Sequence, residues 1–169
     1  MPAYILEKYT YEDYKHWEGD WELIDGIPQA MAPSPVGKHQ FIMGKIIYNL
    51  NKKLEELNCN KCFVLGEIDY IISDETVLKP DVALVCSKLP TFITKPPVAI
   101  FEVISPSTKL RDEITKKTIY QKAGVKNLFL VYPDEKKVIF NNKEIDKIEI
   151  NTPCGKIEFE SKEIFKGLD

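Results

Sequence analysis

Two acidic residues lie in predicted strands where carboxylates are unusual. Glu102 is near the middle of the apolar run VAIFEVIS, residues 98–105, and Asp81 follows Pro80 at the start of DVALV. An ionised carboxylate removed from water is costly unless it is paired, hydrogen-bonded or bound to a metal. Two converging carboxylates repel each other unless a cation lies between them, and oxygen ligands favour Mg²⁺, Mn²⁺ or Ca²⁺ over zinc. The pair therefore indicates a divalent-cation site, although each acid alone could be structural.

Two adjacent lysines occur in the helix predicted after Glu102. Neighbouring helical residues point about 100° apart, so Lys116 and Lys117 face different directions. Lys116 shares its face with Asp112 and Tyr120 and is predicted to point into the protein, whereas Lys117 is predicted to be mostly solvated. The alternative for Lys116 is a snorkelling side chain with its charged head in water.

The cysteines allow a metal or redox interpretation that the sequence does not favour. Cys59 and Cys62 in CNKC have the spacing of such sites, but a tetrahedral zinc site needs four ligands. Cys86 and Cys154 lie far away in the sequence, so the CNKC pair is interpreted as structural or incidental. Without a secretion signal, all four cysteines are expected to be thiols rather than disulfides.

Length and composition indicate the broad class of protein. The 169 residues, 44% hydrophobic and 29% charged, predict one globular domain spanning 1–169. No signal peptide and no membrane-length apolar stretch are visible, which predicts a cytoplasmic protein that does not contact a membrane. The formal charge of -3 counts mildly against nucleic acid as a partner, without excluding a local basic groove.

The first elements that position these residues follow from hydrophobic periodicity. WELIDGIPQA predicts two short strands around the turn dipeptide Asp25-Gly26. A helix is predicted over 36–57, with Ser34 as N-cap and Pro35 at its first position. One broad face of this helix is apolar, and it comprises Ile42, Met43, Ile46, Ile47, Leu50, Leu54 and Leu57. The opposite face is predicted to include Lys45, Asn49, Lys52, Lys53 and Glu56.

Three strands are predicted next, in CFVLGEIDYII, VLKPDVALVC and VAIFEVIS. The third is apolar on both faces, as a central strand covered on both sides would be. A helix over 112–123 ending at Gly124 follows, then the buried strand NLFLVY and a strand-rich extension. This order predicts an α/β sandwich with a central mixed β-sheet flanked by helices and β-strand additions at both ends. The strands DVALV and VAIFEVI are expected to be neighbours.

Several of these segments together resemble a known family. WELIDG, SP…H, KPDVAL, FEVISPST, RD…K…Y…AGV and NLFLVYPD run in order over roughly residues 10–140. This ordered set resembles the bacterial Uma-two family of restriction endonucleases, within the PD-(D/E)XK nuclease superfamily. The resemblance implies a restriction-endonuclease-like fold and metal-dependent phosphodiester cleavage.

The resemblance also implies a role for each site residue. Asp81, Glu102 and the backbone carbonyl of Val103 would bind Mg²⁺ or Mn²⁺, and Glu22 would add a third carboxylate that binds a second ion or holds the catalytic lysine. The superfamily lysine expected two residues after Glu102 is replaced by Ile104. Lys116 on the following helix matches the position that substitutes for it, where it would orient the attacking water or stabilise transition-state charge.

Three further side chains are candidates for substrate contact. His39 lies on the buried face of the first long helix, where a core histidine is favoured over a residue that contacts the scissile phosphate or Glu22. Ser105 begins SPST, which is expected to form a loop and helix cap, although its hydroxyl could contact phosphate. Tyr120 shares the inward face of Lys116.

The predicted function is therefore a divalent-metal-dependent endonuclease acting on nucleic acid, with DNA favoured over RNA. One alternative is a nuclease-like fold without cleavage activity, acting as a nucleic-acid-binding or regulatory module. Another is a protein stabilised by a structural Ca²⁺ ion. A homodimer is also predicted from the resemblance. The sequence offers an aromatic N-terminus either for that interface or for capping the core, namely Tyr4, Tyr9, Tyr11, Tyr14 and Trp17.

Overall fold

A computed structural model describes residues 7–31, 36–106 and 108–169 of the protein. The helical segments are α1 (Tyr11–Tyr14), α2 (Gly37–Glu56), a π-helix (Arg111–Lys116), α3 (Lys117–Ala123) and a 3₁₀-helix (Ser161–Phe165). The first strands are β1 (Trp21–Ile24), β2 (Ile27–Ala30), β3 (Phe63–Gly66), β4 (Tyr70–Ser73), β5 (Thr76–Leu78) and β6 (Val82–Val85). The later strands are β7 (Ala99–Val103), β8 (Leu128–Tyr132), β9 (Lys137–Phe140), β10 (Lys143–Ile145), β11 (Lys147–Thr152) and β12 (Gly155–Glu160).

The central sheet has six strands in the order β10-β9-β8-β7-β6-β3. β7 and β8 are parallel, and the π-helix and α3 connect them, whereas β6 and β7 are antiparallel with Val82 opposite Phe101. The sheet is therefore mixed, and the predicted neighbours DVALV and VAIFEVI do pair. Every residue of β6 and β7 is buried, as the two-sided apolar pattern of VAIFEVIS predicts.

Alternate residues of β6 and β7 pack into two different layers. Val82, Leu84, Phe101 and Val103 belong to the core under α2, together with the buried α2 residues Ile42, Ile46, Leu50 and Leu54. Ala83, Ile100 and Ile104 belong to the core under α3, which includes the fully buried Tyr120. Successive strand residues point to opposite faces, so Asp81 and Glu102 fall on the face that α3 covers.

Two strand predictions are wrong in their extent, because each predicted strand divides between two sheets. CFVLGEIDYII forms β3 in the central sheet and β4 in a four-stranded antiparallel sheet of order β2-β1-β5-β4. Glu67, with φ of 50°, turns the chain between them in the left-handed region. VLKPDVALVC likewise forms β5 and then β6, separated at Pro80, which cannot donate to a ladder.

The helices differ from prediction in their details. α2 begins at Gly37 with Val36 as its N-cap residue, and Ser34 and Pro35 lie outside the described residues. Asn49, predicted on the exposed face, is buried, and its amide is satisfied by donating to the carbonyl of Lys45. The predicted helix over 112–123 is a π-helix followed by α3, and it ends as predicted at Gly124, where φ is 98°.

The aromatic N-terminal segment packs beside the four-stranded sheet. Tyr14 is buried with Leu23 and Val77, while Tyr9, Tyr11, Trp17 and Trp21 pack around them. Tyr4 lies outside the described residues. Among the helices of the described segments, none combines the length and apolarity needed to cross a membrane.

The expectation of free thiols is wrong. Cys59 is bonded to Cys154, and Cys62 is bonded to Cys86. The cause is the tertiary fold, because the loop after α2 lies beside the end of β6 and the turn between β11 and β12. Distance along the sequence gave no sign of this proximity.

Candidate active site

The two acids of the sequence analysis meet at one end of the central sheet. Glu102 is in β7, and Asp81 immediately precedes β6, one step beyond the paired residues Val82 and Phe101. The Asp81 carboxylate accepts a 2.7 Å hydrogen bond from the backbone N–H of Val103, the residue after Glu102. Antiparallel pairing therefore brings Asp81 against the strand that carries Glu102, as the sequence predicts.

Lys116 lies between two of the carboxylates. Its Nζ is 2.9 Å from Glu22 Oε2 and 2.9 Å from Glu102 Oε1. All three side chains are nearly inaccessible to solvent, with exposed fractions of 2% for Lys116, 1% for Glu22 and 2% for Glu102. The prediction that Lys116 points inward is confirmed, and the snorkelling alternative is wrong.

Glu22 reaches this point from the four-stranded sheet. Its Oε2 also accepts a 2.8 Å hydrogen bond from the backbone N–H of Lys79, in the connection between β5 and β6. The carbonyl of Lys79 lies 3.4 Å from Lys116 Nζ. Glu22 therefore fixes the lysine and the segment leading to Asp81 at the same time.

Asp112 is a fourth carboxylate, to which the sequence analysis gave no site role. It is buried in the π-helix, 3.9 Å from Lys116 Nζ. Burial raises its pKa to about 6, assisted by the charges of Asp81 and Glu22 and opposed by Lys116 and a hydrogen bond from Thr108. The signal was present in the sequence, because Asp112 precedes Lys116 by one turn on the same face.

The electrostatics of the cluster are dominated by excess negative charge. Burial, together with the charges of Asp81, Asp112 and Glu22, raises the pKa of Glu102 well above its usual value, against the opposing charge of Lys116. Burial favours a neutral Lys116, but Glu102, Glu22 and Asp112 outweigh it and raise the lysine pKa. The ammonium group therefore stays charged, and it does not fully neutralise the carboxylates around it.

His39 contacts Asp81 rather than Glu22. Its Nε2 lies 3.3 Å from Asp81 Oδ1, and its side chain is 14% exposed. Burial opposes the imidazolium form, but the hydrogen bond and charge of Asp81 outweigh it and raise the pKa of His39. Burial likewise disfavours the charged carboxylate, yet contact with His39 and the charge of Lys116 lower the pKa of Asp81. The histidine is therefore at the edge of the site and not a purely apolar core residue.

Tyr120 and Ser105 occupy different positions around the cluster. The fully buried Tyr120 donates a 2.8 Å hydrogen bond from its hydroxyl to Glu102 Oε1. The Ser105 hydroxyl is 2.9 Å from that of Thr108, which matches the expected loop chemistry; Ser107 lies outside the described residues. Lys117 is half-buried rather than mostly solvated, and its Nζ donates to Asn142 away from the carboxylates.

The residues at this site fit a hard divalent cation. The side-chain donors are carboxylate oxygens, which are ligands that Mg²⁺ and Mn²⁺ accept, and the backbone carbonyl of Val103 stays a predicted ligand. Within the described part of the chain, no three Asp, Glu or His ligand atoms here lie within 4.8 Å of one another. Mg²⁺ is usually held by one or two carboxylates and keeps several waters, so it does not need such a cluster. A bound cation would also relieve the repulsion that raises the pKa of Glu102.

Comparison with solved structures identifies the class of fold. The chain resembles a crystal structure described as "a putative nuclease belonging to DUF820" from Anabaena variabilis, with a TM-score of 0.74 and 16% sequence identity. The match covers 92% of this chain and 97% of that one. At this identity the likeness shows the fold alone, an α/β fold with a mixed central sheet flanked by helices.

Comparison with family models identifies the family. The model of the Uma2 family, described as "Putative restriction endonuclease", matches residues 10–160. The chain belongs to this family, as its motifs predict. A search of curated proteins found no match.

Proposed function

We propose that this protein is a divalent-metal-dependent endonuclease that hydrolyses phosphodiester bonds of nucleic acid, with DNA as the first substrate to test. Membership of the Uma2 family supports a nuclease. The observation that carries the proposal is the position of Lys116, whose ammonium group lies 2.9 Å from Glu102 although it comes from a helix. Lys116 thereby provides, beside Asp81 and Glu102, the positive charge that Ile104 cannot supply.

Replacement of the strand lysine by a helical lysine has a geometric reason. Ile104 follows Glu102 by two residues and packs in the core under α3 with Tyr120. Residues two apart on a strand share a face, so the π-helix and α3 cover the same face that a lysine at position 104 would occupy. Lys116 reaches the site from the helical segment that covers this face.

Each residue has a defined role in this proposal. Asp81, Glu102 and the Val103 carbonyl would hold Mg²⁺ or Mn²⁺, and the bound ion would polarise the phosphate and lower the pKa of a coordinated water. Lys116 stabilises negative charge on the phosphoryl oxygens or orients the attacking water. Glu22 holds Lys116 in place, and Tyr120 orients Glu102 through its hydrogen bond.

His39 and Ser105 would act at the edge of the site. His39 orients Asp81 and, when protonated, provides a positive charge for a substrate phosphate. Ser105 lies in the loop after β7 and provides a hydroxyl near the same edge.

The test is cleavage of single- and double-stranded DNA and RNA with Mg²⁺ or Mn²⁺, and with EDTA as the metal-free control. We expect metal-dependent cleavage that Asp81→Ala abolishes while Asp74→Ala, an exposed change in the turn after β4, retains it. Salt-sensitive binding without turnover would overturn the proposal in favour of a binding module. Turnover that survives both EDTA and Asp81→Ala would refute the assignment of this site.

A homodimer remains a prediction that accompanies this function, because enzymes that cut both strands of a duplex often pair two active sites. The described aromatic residues of the N-terminal segment pack on one another and on Leu23 and Val77, which agrees with the core-capping alternative. Light scattering over a wide concentration range tests the dimer. A single 19.5 kDa species at every concentration would exclude it.

A further inference from the structure

The four cysteines come from separate parts of the chain and meet on the α2 side of the central sheet. Cys59 and Cys62 lie in the loop between α2 and β3, Cys86 directly follows β6, and Cys154 is in the turn between β11 and β12. All four belong to or pack against the core under α2. The fold thus assembles two ligands spaced as C-x₂-C with two more from distant segments.

Three of the four sulfur atoms lie close enough together to share one ion, and the fourth is bonded to one of them. The Sγ atoms of Cys59, Cys62 and Cys154 all lie within 4.8 Å of one another, and Cys86 is bonded directly to Cys62. In a tetrahedral zinc site the Zn–S distance of about 2.3 Å places neighbouring sulfurs about 3.8 Å apart. Once both disulfides are reduced, Cys59, Cys62 and Cys154 are already near this spacing, and the Cys86 side chain would have to turn toward them to complete a tetrathiolate site.

We propose that the reduced protein binds one Zn²⁺ ion through Cys59, Cys62, Cys86 and Cys154. Thiolates are soft ligands that select zinc over magnesium or calcium, and a C-x₂-C pair plus two further cysteines is a frequent structural zinc arrangement. Within the described residues, this is also the one group of three or more His, Cys, Asp or Glu ligand atoms lying within 4.8 Å. The disulfide pairs are the oxidised form of the same cluster.

The two forms are related by a balanced exchange. A dithiol reductant gives two electrons and two protons to each disulfide and becomes a disulfide itself, so two dithiols yield four cysteine thiols. Zinc then binds as the four thiols lose four protons. Oxidation reverses this exchange and releases the ion.

The expected role of the ion is structural. Four protein ligands leave no open coordination position, which is the arrangement of structural rather than catalytic zinc. The cluster joins the end of α2, the end of β6 and the C-terminal hairpin. Cys86 is five positions after Asp81, about 16 Å away along an extended strand. The inference therefore does not depend on nuclease activity.

The experiment compares the metal content and thiol count of protein purified with a phosphine reductant and without chelator. We expect one zinc per chain by mass spectrometry of the metal. Replacing zinc with Co²⁺ should give the visible bands of tetrahedral cobalt and a near-ultraviolet thiolate charge-transfer band. Cys154→Ser should weaken that band and lower zinc affinity by at least about 10-fold. Lys61→Ala, inside the same C-x₂-C segment, should change neither.

Three results would overturn the proposal, the first two of which concern what the reduced protein binds. One is reduced wild-type protein with four titratable thiols, no bound zinc and no thiolate–cobalt band. The other is iron with the brown colour of an iron–sulfur cluster in place of zinc. Both measurements use wild-type protein, so they decide the question even if Cys154→Ser does not fold. Disulfides that persist under the reductant would also refute a zinc form.

Discussion

The two ends of β6 carry opposite kinds of polar chemistry. At the start of the strand, Asp81 lies among hard oxygen ligands on the face under α3, where burial and repulsion raise the pKa of Glu102. At the other end, Cys86 lies among soft sulfur atoms on the face under α2. Asp81 and Cys86 are five positions apart, and an odd step along a strand places two side chains on opposite faces. One short strand therefore supports two sites that do not share a core layer.

The acidic end of β6, at Asp81, and the cysteine end, at Cys86, differ in how many protein ligands each supplies to a metal ion. The acidic end offers carboxylates from separate elements and fixes a charged lysine beside Glu102, so waters and phosphate would have to complete the coordination of any ion held there. The cysteine end, once reduced, would offer four thiolates and no open coordination position. We infer from this contrast that the acidic end is suited to chemistry and the cysteine end to holding the C-terminal hairpin in place.

The largest expected effect is at the acidic end, from Lys116→Met. Removing one preorganised electrostatic donor should lower the cleavage rate by about 100-fold or more. Metal affinity should be retained or should rise, because Lys116 no longer competes for Glu102. Single-turnover cleavage and Mn²⁺ titration measure the two quantities, and the zinc content at the cysteine end should not change.

Lys117→Met is the matched control for this substitution. Lys117 bonds Asn142 outside the carboxylate cluster, so the cleavage rate should change little. Equal losses from both substitutions would indicate a general basic surface. An unchanged rate in Lys116→Met would leave the mechanism without its lysine.

A smaller effect, on stability, is expected from Asp112→Asn. The pKa of Asp112 is about 6 in the folded protein against 3.8 ordinarily, so the folded state binds the proton more tightly. The protonated form of Asp112 therefore contributes its full share of folding stability below about pH 4. That contribution is lost as the pH rises through about 6. Asp112→Asn should therefore stabilise the protein by about 1–2 kcal/mol at pH 7 and by almost nothing at pH 4.

Urea unfolding at both pH values, without divalent metal, measures this difference. A stabilisation of equal size at pH 4 and pH 7 would show that the carboxyl group does not titrate between them. Destabilisation at pH 7 would show that the Asp112 contact with Lys116 outweighs its burial.

A stability effect of comparable size and opposite sign is expected from Tyr120→Phe. The substitution removes the hydroxyl that donates to Glu102 and keeps the ring stacked on Tyr70 at a centroid distance of 6.4 Å. The loss of one buried hydrogen bond to a carboxyl group should cost about 1–3 kcal/mol of unfolding free energy. Tyr70→Phe keeps the same ring pair and the Glu102 hydrogen bond, so a larger loss there would contradict this assignment.

Much of the acidic end could be predicted from the sequence because its determinants are local. The two-sided apolar pattern around Glu102 predicts a central strand, and the helical phase of Lys116 predicts its inward direction. The predicted inward direction of Lys116 holds although the segment is a π-helix and not an α-helix, because Asp112 and Lys116 remain neighbours on the buried face. Glu22 required the family resemblance, since nothing near it in the sequence connects it to Lys116.

The sheet boundaries and the cysteine cluster could not be predicted in this way. The segment CFVLGEIDYII divides between two sheets because the backbone at Glu67 is left-handed. Glutamate does not predict a left-handed backbone, so the sequence does not indicate this division. The partner of Cys59 is 95 residues away, and its proximity depends on the C-terminal hairpin packing beside α2. Both are properties of tertiary packing rather than of local pattern.

The division of strands between two sheets also affects the order of folding. Glu22 accepts its hydrogen bond from Lys79, 57 residues later, so the acidic end is complete only after both sheets have formed and met. Closing long loops costs chain entropy before any contact compensates for it, and such contacts slow folding. The hairpin of β1 and β2 can form early, whereas Lys116 reaches Glu22 only in the final stage. Any nuclease activity should therefore appear late in refolding, together with the last cooperative gain in stability.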